Sequence, residues 1–115
     1  MGEQGFMKRA TATLDRLEAA IEQAAARAGV DVELSRTDNL IEVEFDDGSK
    51  IVINSHEAAG EIWVASRAGG YHFRPQPDGG WLDGRSGSTL TALLSDQLSR
   101  QAGLPVDLGD LPLVS

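Results

Sequence analysis

Three carboxylates open the chemistry of this chain: Asp15, Glu18 and Glu22 recur at spacings of three and four residues. On a helix turning about 100° per residue they share an arc of roughly 60°. That arc lies beside the apolar stripe of the same segment, toward the seam where a helix would meet its neighbours. Asp31 and Glu33 continue the acids on the next segment. Like charges packed this way repel by a few tenths of a kcal/mol per pair, roughly. A solvated face would relieve the repulsion with interspersed lysines, but the positions on this arc are acidic. Oxygen donors in a chain without cysteine suit hard cations such as ferric iron, calcium or magnesium. Two readings stand at this point, a metal-binding rim and a solubilising surface. Any site would be shallow. The stretch from Asp38 to Asp47 lacks the glycine and terminal glutamate that would make it an enclosing calcium loop.

A second group surrounds Trp63. Alternation with Ile62 and Val64 turns Trp63 to the opposite face of its strand, and Asn54 shares that face by alternation with Ile51 and Ile53. The indole then either packs over a neighbouring strand or meets a protein partner. Arg67, Arg74 and Arg85 are close in sequence and are candidate polar anchors, with directions that sequence leaves open. His56 and His72 have no metal-ligand partner at a recognised spacing. His72 alternates with Tyr71 and Phe73 and is expected to point outward, as a surface histidine or an accessory iron ligand. No phosphate loop, no G-x-S-x-G context and no localised acid–base pair occurs, so no enzymatic activity is expected.

The elements that must position these residues follow from periodicity. Phe6, Ala10, Leu14, Leu17, Ile21, Ala24, Ala25 and Ala28 form the stripe of a first helix over Phe6 to Ala28, which Gly29 stops. A period of two takes over: Val30, Val32 and Leu34, then Ile41, Val43 and Phe45, each set alternating with acids. Asp47-Gly48 marks a hairpin into a strand over Ser49 to Asn54. Glu61 to Arg67, Tyr71 to Arg74 and a short Trp81 to Asp83 supply further strands. Ser88 is the expected N-cap of a last helix striped by Leu90, Leu93, Leu94 and Leu98 and closed by Gly103. Short links imply antiparallel pairing. The expected fold is α+β: a two-layer α/β sandwich, with N- and C-terminal helices on one face of an antiparallel sheet of five to six strands. Residues 1–115 read as a single domain, with 1–5 flexible. A tail over 104–115, carrying Leu104, Val106, Leu108, Leu111, Leu113 and Val114, packs on the helices.

Composition excludes several classes. The net charge of −8 argues against nucleic acid as a partner, since phosphate binding needs clustered lysine and arginine. Acidity is concentrated: residues 1–57 carry 12 acids to 6 lysines and arginines, residues 58–115 only 6 to 4. With no cysteine there is no disulfide, zinc-thiolate or iron–sulfur ligation. No run approaches the roughly 18 apolar residues of a membrane span, and no apolar signal segment opens the chain. The cytoplasm is the expected compartment.

Four runs, in order, resemble the frataxin family and especially its bacterial branch. They are Asp47-Gly48-Ser49-Lys50-Ile51-Val52-Ile53-Asn54, Glu61-Ile62-Trp63-Val64-Ala65, Gly69-Gly70-Tyr71-His72-Phe73, and Trp81-Leu82-Asp83 ahead of Arg85-Ser86-Gly87. The resemblance covers nearly the whole chain and implies the same two-layer sandwich. It also implies a non-enzymatic role in iron–sulfur cluster assembly, with iron (ferrous or ferric) bound weakly at surface carboxylates. Cysteine desulfurase and scaffold proteins would be its partners, and the chain would be a monomer without iron. By position, the metal ridge falls on Asp15, Glu18, Glu22, Asp31 and Glu33, with Asp46 nearby. Partner contacts fall on Asn54, Trp63 and Arg67 together with Glu18 and Glu22. One departure bears on capacity: Gln23 to Ala28 is almost all alanine, with Arg27, where several relatives continue the acids. The alternative implied is a purely protein-interacting module that regulates the desulfurase complex, with incidental metal binding.

Overall fold

The structure, a computed structural model, describes residues 3–109. Helix α1 spans Glu3–Ala28, so Glu3 to Gly5, expected to be flexible, already belong to it. Its 26 residues set the molecule's 40 Å long dimension, at about 1.5 Å of rise per residue. The predicted stripe is the buried one: Ala10, Leu14, Leu17, Ile21 and Ala24 face the core. Gly29, at φ 72°, turns the chain out of the helix, and the Val30 N–H closes the end on the Ala25 carbonyl at 2.9 Å.

Six strands follow: β1 Val32–Thr37, β2 Leu40–Phe45, β3 Lys50–His56, β4 Glu61–Ser66, β5 Gly69–Pro75 and β6 Trp81–Asp83. They form one sheet in the order β1-β2-β3-β4-β5-β6, every neighbour antiparallel. Links of a few residues permit nothing else. The β2–β3 turn is built as its sequence demands, with Gly48 at φ 84° and the Asp47 carboxylate accepting the Ser49 N–H at 2.9 Å. Helix α2, Leu90–Ala102, closes the element order. Its N-cap is Thr89, not Ser88: the Ser88 carbonyl still accepts the Asp83 N–H, and Thr89 bridges to Leu82. Sheet pairing therefore holds the chain one residue longer.

The two helices lie on one face. Ile41, Val43, Ile51, Ile53, Ile62, Val64 and Phe73 meet the α1 stripe and Leu90, Leu94 and Leu98 of α2 in a single core. Fully burying each such apolar side chain favours the folded state by about 1.5–3 kcal/mol. Beyond α2, Val106 and Leu108 are buried in the same core, and Ser95 and Ser99 accept the backbone N–H groups of Leu108 and Val106. Leu104 instead stands exposed, and Leu111, Leu113 and Val114 lie outside the described residues. Among the described residues no helix is long and apolar enough to cross a membrane.

Candidate functional site

The acidic residues gather along the seam between α1 and β1, and they divide into two groups. Asp15 and Glu18 share one cation: Nη1 of Arg36 stands 3.0 Å from a carboxylate oxygen of each. Arg36 reaches them because its position in β1 continues the inward alternation of Val32 and Leu34 and pairs with Ile41. At the edge of the sheet that inward side chain emerges beneath α1 instead of entering the core. Its Nε and Nη2 donate to the carbonyls of Thr37 and Asp38, which fix the fork in place. The helix arc thus has a countercharge supplied from outside the helix, which no inspection of helical spacing reveals.

Among the described residues the second group forms no ion pair, although Lys50 on β3 is the direct cross-strand neighbour of Glu44. Asp31, Glu33, Glu44 and Asp46 line one shallow hollow at the start of β1 and the end of β2. Glu33 and Glu44 are direct cross-strand neighbours on the outer face, a repulsive placement for like charges. Among the described residues neither these four nor the exposed Glu22 has an ion-pair partner, whereas Glu42 nearby has Lys50 at 3.4 Å. Glu44 was visible in sequence only as part of an acidic strand face; pairing with Glu33 brings it to the hollow. Carboxylate oxygens of this kind suit hard cations. Among the described residues no three carboxylates or imidazoles converge as a ready-made metal cage.

Trp63 stands on the outer face as alternation requires, directly paired with Asn54 on β3 and His72 on β5. It also packs over its neighbours. His56 stacks on one face of the indole, with ring centroids 4.0 Å apart, and His72 on the other at 4.5 Å. Both pairs are near-parallel stacks, with interplanar angles of 11° and 13°. His72 points outward as expected, and its imidazole is a stacking partner. His56 is held by an N–H from Ala59 to its Nδ1 at 3.2 Å.

Beneath the stack lies a carboxylate that sequence reading passed over. Glu61, on β4 two residues before Trp63, is 8% exposed on a face open to water. Its Oε1 accepts the Trp63 indole N–H at 2.8 Å, its Oε2 accepts Arg74 Nε at 2.9 Å, and His72 Nδ1 stands at 3.8 Å. The indole hydrogen bond first, then the arginine, hold the Glu61 carboxyl below the usual glutamate range. The signal available in sequence was the i, i+2 spacing of Glu61 and Trp63 on one strand face.

Arg67 is elsewhere. It sits in the β4–β5 turn, and its Nη2 bonds Asp47 of the β2–β3 turn at 2.7 Å. Two hydrogen bonds from Ser49 and this arginine bring the Asp47 carboxyl down to about 2. Arg67, whose direction the sequence left open, ties two turns together at one end of the sheet and stands apart from Trp63. Of the three arginines, Arg74 is the one that joins the tryptophan. Arg85 lines a separate hollow with Gly69, Gly70, Tyr71, Asp83 and Ser86.

Two helices on one face of a six-stranded meander, with an acidic seam and an aromatic stack on the open face, define a two-layer α+β domain of the frataxin type. The frataxin-like domain model matches residues 1–104, and the chain belongs to the frataxin family. It is 49% identical over 109 residues to the iron–sulfur cluster assembly protein CyaY of Cupriavidus necator, covering 95% of this chain and 97% of that one. To the protein of the same name from Cupriavidus taiwanensis it is 52% identical over 103 residues, 90% of this chain and 92% of that one. Among solved structures, frataxin from Psychromonas ingrahamii superposes with a TM-score of 0.78 at 27% identity, covering 96% of this chain and 100% of that chain. Trimeric yeast frataxin complexed with ferrous iron matches with a TM-score of 0.67 at 27% identity, over 83% of this chain and 86% of that one.

Proposed function

We propose that this protein works without catalysis in iron–sulfur cluster assembly in the cytoplasm. It binds iron weakly along the seam and contacts the cysteine desulfurase and scaffold proteins through the seam and the open sheet face. The observation that carries this reading is the set Asp31, Glu33, Glu44 and Asp46 gathered around one hollow with a single cation, Lys50 on β3, opposite Glu44, and with Glu22 exposed on the neighbouring helix. Repulsion among exposed carboxylates is relieved by a hard cation or by a basic protein surface. Names of relatives support the pathway, and the yeast structure with ferrous iron supports the cargo.

The reading divides the sequence-derived ridge. Glu22, Asp31, Glu33 and Asp46, joined by Glu44, are the residues free to meet iron. Asp15 and Glu18 already share Arg36 and serve mainly in protein contact. Titration with ferrous or ferric iron while recording NMR signals tests this. Resonances of Glu22, Asp31, Glu33, Glu44 and Asp46 are expected to broaden first; unchanged signals at excess metal would remove iron binding from the function. A second reading, a pure interaction module, is favoured by the absence of a converged metal cage among the described residues. Association with the desulfurase complex that weakens steeply with salt and ignores iron would establish it.

A further inference from the structure

Glu61 is an expensive residue to place where it is. A carboxylate buried on a strand face loses hydration that only hydrogen bonds and opposite charge restore. Its neighbours could have been solvated on an open sheet, so the fold gains no core from burying it. What the burial does produce is directional. One oxygen receives the indole N–H of Trp63 and the other receives Arg74. The i, i+2 spacing on β4 fixes the carboxylate against the indole edge, and Arg74 comes in from β5. His72 Nδ1 faces the same carboxylate at 3.8 Å, and His56 is the direct cross-strand neighbour of Glu61. The acid thus faces His72 directly and lies across the strand from His56, whose own ring is held by the Ala59 N–H. Without the acid, an indole on a flat sheet could swing between its neighbours.

We infer that Glu61 is the positioning residue of the sheet-face contact: it holds Trp63 upright between His56 and His72, so a protein partner meets a preset three-ring edge. This rests on the proposed use of the open face as a contact. Preset aromatic anchors bind more tightly because less side-chain freedom is lost on association. Arg74 is the second member of the device, since it keeps the acid ionised and oriented.

The test separates the positioning from the contact. Nitrogen-15 NMR of the full chain follows the indole N–H of Trp63, with the Trp81 indole, bonded to Thr13, as an internal check on the fold. The near-isosteric Glu61→Gln keeps an amide oxygen that accepts the N–H but loses the charge, and is expected to move the Trp63 resonance slightly; in Glu61→Ala the resonance is expected to move fully toward that of a free indole. Its exchange with water should quicken by about tenfold, contacts to the two imidazoles should weaken, and the Trp81 signal should stay in place. Binding of Glu61→Ala to the purified desulfurase–scaffold complex is expected to weaken by about five- to tenfold, approaching Trp63→Ala. A Trp63 indole unchanged in both Glu61 variants overturns the inference. So does an indole that moves while Glu61→Ala binds as tightly as the native chain and Trp63→Ala does not; the contact itself would then survive. Native affinity in Trp63→Ala would instead remove the contact, and the inference that rests on it.

Discussion

The two tryptophans of this protein sit on opposite faces of one sheet, each with an acid two residues away on its own strand. On β4 the pair is Glu61 and Trp63; on β6 it is Trp81 and Asp83. Inside, the two polar groups part company. Trp81 sends its indole N–H across to the Thr13 hydroxyl of α1 at 3.0 Å, while its ring meets Phe6 edge-on and the guanidinium of Arg9 at 5.1 Å. Asp83, also buried, accepts the hydroxyl and N–H of Ser86 and shapes the turn that leads into α2. Outside, acid and indole bind one another and collect residues from adjacent strands. Inside, the indole bond joins separate elements and the acid braces a local turn, both holding the fold; on the open face the bonds join neighbours within the sheet and set a surface. The same i, i+2 motif thus serves structure on one face and, in the proposed function, recognition on the other.

Substitution should break this comparison most clearly at Trp81. Trp81→Ala leaves a cavity between α1 and β6 and is expected to cost about 3–5 kcal/mol in a urea unfolding experiment. Thr13→Val keeps the shape but leaves the buried indole N–H without an acceptor, for a loss of about 1–3 kcal/mol. Trp63→Ala removes two stacking contacts at the surface and should cost only about 1–2 kcal/mol. In the proposed function its larger effect is expected on partner affinity. A stability loss as great as that of Trp81→Ala would show that the outer stack is structural.

Acid titration sharpens the pairing. Both Glu61 and Asp83 have carboxyls held below their ordinary ranges, Asp83 chiefly by the Ser86 hydroxyl. A depressed folded-state value means that the stabilisation is complete above the unfolded values of about 3.9 and 4.3 and disappears as pH falls through the folded ones. Urea midpoints measured from pH 5 down to about 2 should therefore fall less steeply in Glu61→Gln and in Asp83→Asn than in the native protein. Equal slopes in all three would assign the acid limb to other groups. The smallest stability effect belongs to Arg36→Gln, about 0.2–1 kcal/mol, yet it should expose Asp15 and Glu18 and bring iron-induced broadening to their resonances at lower metal.

Hydrophobic periodicity carried most of the architecture. The α1 stripe, the alternation in β1 through β5, Gly29, Gly103 and Asp47-Gly48 are local features, and burial or backbone geometry follows directly from them. The outward direction of Trp63, Asn54 and His72 was legible for the same reason, since alternation fixes the face of every residue in a strand. Thr89 replacing Ser88 as the N-cap was not, because the Leu82 bridge that decides it is a pairing between segments.

Residue type and periodicity settle which side chains are acidic, which face of each element they occupy, and hence that a carboxylate seam exists. Which of those acids meet a cation depends on packing between segments. Arg36 and Asp15 are 21 residues apart and Glu61 and Arg74 are 13 apart, so their charges meet only when strands pair and α1 settles on the sheet. Alternation along one segment sets the direction of a side chain. Coulombic and hydrogen-bonding compensation depends on distance in space, and that is fixed by register and packing.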